Sequence, residues 1–197
     1  MALAASANAQ GTWYTDKALW ESLTTVSNTA NYNEDPPNGF FTSPYTESGV
    51  VHTASGGFYG LGIGALSTNN QDPIDFTFGS NAFGGMFGMT NANGSLIADG
   101  MKFFVYGGAG NHVYNLTSTS GYTFLGYISD SSFPISLTVG GDVTPEYVTV
   151  DSFSFGNGTN PAAPGGAVPE PGTVVSMGLL GAGVLGLVIR SRRRTSN

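Results

Sequence analysis

The side chains able to do acid–base chemistry in this chain of 197 residues are two histidines, 13 carboxylates and six lysines and arginines. His52 and His112 both sit in Gly- and Asn-rich polar surroundings. A Ser-His-Asp triad needs a nucleophile on a tight turn, a base beside it and an acid to orient the base. No G-x-S-x-G and no H-E-x-x-H is present, so both histidines are expected as solvated loop residues. With no cysteine at all, a disulfide framework, a thiolate zinc site and a Cys nucleophile are excluded together.

Glycoside hydrolysis needs two carboxylates across one bond, about 5–9.5 Å apart. Glu21, Glu34, Glu47 and Glu146 are the glutamates of the body. Their separation in sequence places no pair, and solvated surface acids are the expectation. Calcium takes six to eight oxygens from Asp, Asn and backbone carbonyls. Asp72, Asp75 and Asp151 are candidates for a structural calcium, with the Asn91–Asn93 turn as another. No D-x-[DN]-x-[DN]-G loop is present, and N-x-N-G is also a hairpin turn. Tyr45, Phe58 and Tyr59 lie among glycines. They would either stack on sugars from the surface or pack one face of a sheet.

The rest of the composition limits what can position these groups. Gly is 30 of 197 residues, charged residues are 10% and hydrophobic ones 40%. That is enough apolar surface for a core, and unlike the charged composition of an ordinary soluble enzyme. Residues 11–168 hold 12 carboxylates against Lys17 and Lys102, while all four arginines fall in the last eight residues. So acidic a body repels nucleic acid and anionic lipid.

Thr173 to Ile189 is a 17-residue run without charge. As a helix it would span roughly 25 Å, the short end of a membrane crossing. Arg190, Arg192, Arg193 and Arg194 follow at once, which sets the C-terminus inside and the body outside. Gly178, Ala182 and Gly186 recur every four residues and would let a second helix approach closely. Before the run lies a Pro/Gly-rich segment, 158–168, expected to be a disordered linker. It leads into Pro169, Glu170 and Pro171. Pro-Glu-Pro, a Gly-rich apolar span and a terminal Arg cluster, in that order over residues 168–194, resemble the PEP-CTERM sorting domain. The resemblance implies an exported substrate of exosortase, a transpeptidase-like membrane enzyme of bacteria that make exopolysaccharide, cut near the motif.

At the other end, MALAASANAQ is small and apolar, and Ala7-Asn8-Ala9 matches an A-x-A cleavage site. Residues 1–9 read as the remnant of a signal peptide. Between the two ends, 10–157 reads as one β-sandwich or jelly-roll-like extracellular domain opened by a short helix. Thr15 is the expected cap, and Leu19, Trp20 and Leu23 the buried face. Ile74, Phe76 and Phe78 alternate with polar residues, as do Ile135, Leu137 and Val139. Val148 and Val150 are out of phase with Phe153 and Phe155, so a bulge is expected near Asp151. The segments AFGGMFGMTNANG (82–94), YTFLGYISDSSFPISLTV (122–139) and VTVDSFSFG (148–156) resemble an extracellular domain often found upstream of this sorting signal. Relatives often carry Thr-Asp where this chain has Thr90-Asn91. That likeness implies a β-sandwich and no established activity.

Together these features point to an exported, non-enzymatic surface or matrix protein. It would be held by a membrane helix, processed by exosortase and associated with exopolysaccharide. A carbohydrate-binding module is the second reading and a polysaccharide hydrolase the third.

Overall fold

The computed structural model describes residues 11–32, 39–62, 64–107, 111–119, 121–141 and 146–161. The expected signal cleavage site, Glu34, the sorting motif, the apolar run and the Arg cluster lie outside them. In chain order the elements are β1 (Gly11–Tyr14), α1 (Lys17–Leu23), β2 (Thr24–Ala30), β3 (Gly39–Phe41), β4 (Tyr45–Glu47), β5 (Val50–Thr53), β6 (Phe58–Gly60) and β7 (Leu66–Thr68). There follow β8 (Ile74–Thr77), β9 (Ala82–Thr90), β10 (Leu96–Ile97), β11 (Asp99–Gly107), β12 (His112–Thr119), β13 (Thr123–Ser129), β14 (Ile135–Gly141) and β15 (Tyr147–Gly158). Two antiparallel sheets result. One has nine strands, ordered β1-β13-β9-β15-β7-β6-β3, with β10 beside β9 and β2 beside β15. The other has six, ordered β12-β11-β14-β8-β5-β4.

The sheets pack face to face because each strand sends alternate residues inward. In the six-stranded sheet Ile74 and Phe76 of β8 and Ile135, Leu137 and Val139 of β14 are buried, while Asp75 and Thr77 face water. Phe83 and Phe87 of β9, Leu125 and Tyr127 of β13, and Phe153 of β15 meet them from the nine-stranded sheet. Phe153 stacks on Phe76 of the opposing sheet at 4.7 Å and on Phe83 of its own at 5.8 Å.

The β15 bulge is where the sequence placed it. The register to β9 shifts between Val150 and Ser152, leaving Asp151 as the extra residue. Val148 and Val150 before it, and Phe153 and Phe155 after it, therefore all reach the core.

Two expectations change. Asp16, not Thr15, caps the helix: its carboxylate accepts the Leu19 N–H at 3.1 Å. The seven-residue helix is too short to bury a stripe, so Trp20 alone goes fully under and Leu19 is half exposed. The folded body also runs past residue 157. The Thr159 N–H bonds to Leu23 O at 3.0 Å, and the buried Asn160 amide joins Thr12 and Asp130. A side-chain amide can tie down a segment that lacks apolar residues, which composition alone does not reveal.

Trp20 lies on a floor with no side chains. Gly84 of β9 and Gly126 of β13 are cross-strand partners. A Cβ on Gly126 would meet Trp20 Cδ1 at 2.6 Å, and one on Gly84 would meet Trp20 Cδ2 at 3.0 Å. The G126A variant should therefore lose about 1–3 kcal/mol through overpacking, and the W20A variant about 3–5 kcal/mol through the cavity it leaves. In a double-mutant cycle by denaturant unfolding, the alanine at 126 should cost almost nothing once Trp20 is gone.

Candidate functional site

The outer face of the nine-stranded sheet carries a neutral pocket of about 520 Å³. Strand alternation builds it. Val148 and Val150 point inward, so Tyr147 and Thr149 point outward. Register then sets Thr90 opposite Tyr147, Ser67 opposite Thr149 and Tyr59 opposite Ser67, all on that outer face. Ser67, Thr90 and Thr149 form a closed ring of buried hydroxyls. Thr90 Oγ1 lies 2.9 Å from Thr149 Oγ1, Thr149 donates to Ser67 Oγ at 3.0 Å, and Ser67 Oγ and Thr90 Oγ1 are 3.4 Å apart. The ring satisfies its own hydrogen bonds; Ser67 and Thr90 form the floor, with Thr149 fully buried behind them.

The rim holds Tyr59, which is 40% exposed, Tyr147, Leu61 and the turn from Asn91 to Gly94. Asn91 Oδ1 accepts the N–H groups of Asn93 at 2.9 Å and Ser95 at 3.1 Å, which fixes that turn from within. Gly94 adopts φ of 74°, and its α-carbon faces Leu61. Among the described residues, no acid, histidine, lysine or arginine lines the pocket.

Of the three aromatics singled out in the sequence, Tyr59 alone reaches this rim. Phe58 is fully buried, and Tyr45 packs against Phe41 at 5.1 Å with its hydroxyl on Glu47 at 2.8 Å. Asn91–Asn93 is a hairpin turn between β9 and β10. Sequence reasoning missed Ser67, Thr90, Tyr147 and Thr149. The one available signal was the outward half of the Tyr147–Val150 alternation.

The histidines are not solvated loop residues. His52 is fully buried on β5. Its Nε2 lies 2.7 Å from Tyr32 Oη, and its Nδ1 lies 3.3 Å from Tyr45 O. Burial lowers its pKa to about 4, with weaker opposition from backbone hydrogen bonds to Tyr45 and Val50. The residue is therefore a neutral core group. Glu47 accepts the N–H groups of Asn31 at 3.1 Å and Tyr32 at 3.0 Å, holding Tyr32 at φ of 53°. Burial, and then the Glu47 charge, push the Tyr32 hydroxyl well above its ordinary pKa. His112 opens edge strand β12, half-buried, with its ring 5.8 Å from that of Tyr127.

Apart from one pair, Asp99 and Glu146, the described acids are dispersed. Glu21 pairs with Lys17 at 3.7 Å on exposed α1. Glu47 is spent on its clamp. Glu146 hydrogen-bonds Asp99, and that contact, ahead of the Gly100 N–H, lowers the Asp99 pKa. Asp72 accepts the Gly56 N–H at 2.9 Å, Asp75 accepts from Thr138 on the outer face of the six-stranded sheet, and Asp151 sits at the β15 bulge. Desolvation raises the Asp151 pKa against a smaller opposing effect of Lys17. The three calcium candidates thus do not converge, and no group of three His, Asp or Glu able to hold a metal forms among the described residues.

A family model for the PEP-CTERM protein-sorting motif matches residues 167–194. The chain carries a PEP-CTERM sorting motif. That match covers the tail and leaves the body unassigned. No curated protein matches the chain in sequence. Among solved structures, a variant of the family 29 carbohydrate-binding module CBM29-2 with mannohexaose aligns at a TM-score of 0.40 and 15% identity, over 68% of this chain and 94% of that one. A family 35 module from Cellvibrio japonicus Abf62 aligns at 0.31 and 13%, over 76% and 94%. A GH115 4-O-methyl-α-glucuronidase aligns at 0.33 and 12%, over 66% of this chain and 17% of the enzyme. At these scores the architecture rests on the chain's own strand pairing. No described helix is long and apolar enough to cross a membrane, and run 173–189 lies outside the described residues.

The buried histidine gives the body a defined acid response. Unfolded, His52 binds a proton below about 6.5; folded, it does so only near 4. Between those values the unfolded state holds more protons, so stability falls as pH falls through that window. With the slope growing toward about 1.4 kcal/mol per pH unit as the unfolded histidine becomes protonated, lowering the pH from 6.5 to 5 should cost about 1.6 kcal/mol. This window lies above the ordinary carboxylate range. Urea unfolding across it should show the slope in the native chain and a flattened slope in H52Q.

Proposed function

We propose that this chain is an exported, non-catalytic surface protein, processed by exosortase and associated with extracellular polysaccharide. The observation that carries this reading is the PEP-CTERM motif at residues 167–194, at the C-terminal end of a folded, acidic body. In this reading residues 1–9 belong to an export signal cut after Ala7-Asn8-Ala9. Residues 169–194 are the sorting segment, and 173–189 cross the membrane. Arg190, Arg192, Arg193 and Arg194 hold the C-terminus on the cytoplasmic side. Glu170 stands between two prolines, and a residue before proline is held extended, a form that a membrane-bound enzyme can engage. The dispersal of Glu21, Glu47 and Glu146 over α1, β4 and the approach to β15 supports a body without acid–base catalysis.

A second reading, that the body is a carbohydrate-binding module of the matrix, is favoured by the pocket. It combines exposed tyrosine, amide groups and a hydroxyl floor, with no carboxylate, histidine, lysine or arginine among its described lining residues.

The sorting reading is tested at Glu170. In a host with active exosortase, E170A should be exported and folded but remain unprocessed. Intact-mass analysis of the mature protein reads both termini, and normal processing of the variant would overturn the reading.

A further inference from the structure

We infer that the groove between Tyr59 and Tyr147 is a binding site for an uncharged glycan. This rests on the reading of the body as a carbohydrate-binding module and names its site and ligand class. Tyr59 on β6 and Tyr147 on β15 rise from the same face of the sheet with β7 between them. Two strand spacings and a two-residue offset along β15 put their backbones about 12 Å apart. An aromatic ring offers an apolar face to the C–H surface of a pyranose, and its hydroxyl a polar tip. On the lining the Asn93 side chain supplies both donor and acceptor, the combination that matches a sugar hydroxyl, and that of Asn69, which donates one N–H to Gly56 O at 3.3 Å, keeps its carbonyl oxygen and second N–H.

The floor hydroxyls bond to one another, so recognition falls to the rim. At about 520 Å³ the pocket has the volume of a small-ligand site and accepts a short oligosaccharide. Charge selects among glycans. Among the described residues no cation lines the groove, and residues 11–168 hold 12 carboxylates against two lysines. A uronate or sulfated chain would be repelled and left without a counter-charge, and a nucleic acid likewise. With no carboxylate among the described lining residues, the proposed binding is independent of calcium.

The test uses the full chain in a detergent without a sugar headgroup. Neutral hexasaccharides of glucose, mannose and galactose, and oligouronates of similar length, are titrated calorimetrically with and without EDTA. At least one neutral hexasaccharide should bind, unaffected by EDTA, with oligouronates weaker. Y59A and Y147A should each weaken binding at least about tenfold, whereas Y59W retains it and all three keep the native circular dichroism. Unchanged affinity in both alanine variants, loss of binding with EDTA, or preference for oligouronates would overturn the site. Polysaccharide from the native host separates this failure from that of the parent reading. Binding that survives both alanine changes leaves the module and removes this groove, and no binding of either material removes both.

Discussion

The two sheets are held in register by Phe153. Its ring stacks on Phe76 across the sandwich and on Phe83 beside it, and meets Phe78 and Phe87 edge-on. A residue after a bulge would ordinarily be free to face either way. Here, one unpaired residue at Asp151 resets the phase of β15, so that Phe153 joins the same core as Val148 and Val150. Across the pairing Phe153 faces Gly85, where a Cβ would meet the Phe87 ring at 2.7 Å. The space over Gly85 is thus filled by a ring of its own strand and that over Gly84 by Phe124 and Trp20, which gives these glycines of β9 a packing reason.

The outer surface follows from that inner order. Because Val148 and Val150 are committed to the core, Tyr147 and Thr149 are committed to the opposite face. Their partners Thr90 and Ser67 complete the hydroxyl ring. Beyond the bulge the outward residues are serines: Ser154 meets Thr29 of β2 at 2.8 Å. The bulge therefore limits the pocket to the first half of β15. On the other half, β2 replaces β7 as the neighbour of β15, and the Trp20 cap covers β9 and β13, which are buried on both faces while β8 and β14 alternate.

The electrostatics divide the same way. Ionisable groups inside the body are held neutral or clamped: His52 is uncharged, and Glu47 is spent on two backbone N–H groups and the Tyr45 hydroxyl. Nearer the surface, the hydrogen bond from Glu146 lowers the Asp99 pKa. What remains outside is net negative charge and, at the pocket, none. A body of this kind favours contacts made by shape, stacking and neutral hydrogen bonds over contacts made by ion pairing.

The sequence alone determined the sorting motif, the sandwich class, the strands with strict alternation and the bulge. These are local features. Pro-Glu-Pro, an apolar run and an arginine cluster are read by order along the chain, and a period of two shows directly in residues such as Ile135, Leu137 and Val139. Tertiary structure decided the rest. The environment of His52 depends on Tyr32 and Tyr45, which lie on segments that only sheet formation brings to it. Whether Phe58 and Tyr59 were core or surface turned on which face of a three-residue strand met the other sheet. The pocket joins Ser67, Thr90 and Tyr147, residues far apart in sequence whose meeting is set by register between strands. Register is a long-range property, fixed by packing on the far face of the sheet, so nothing within any one of these segments could announce it.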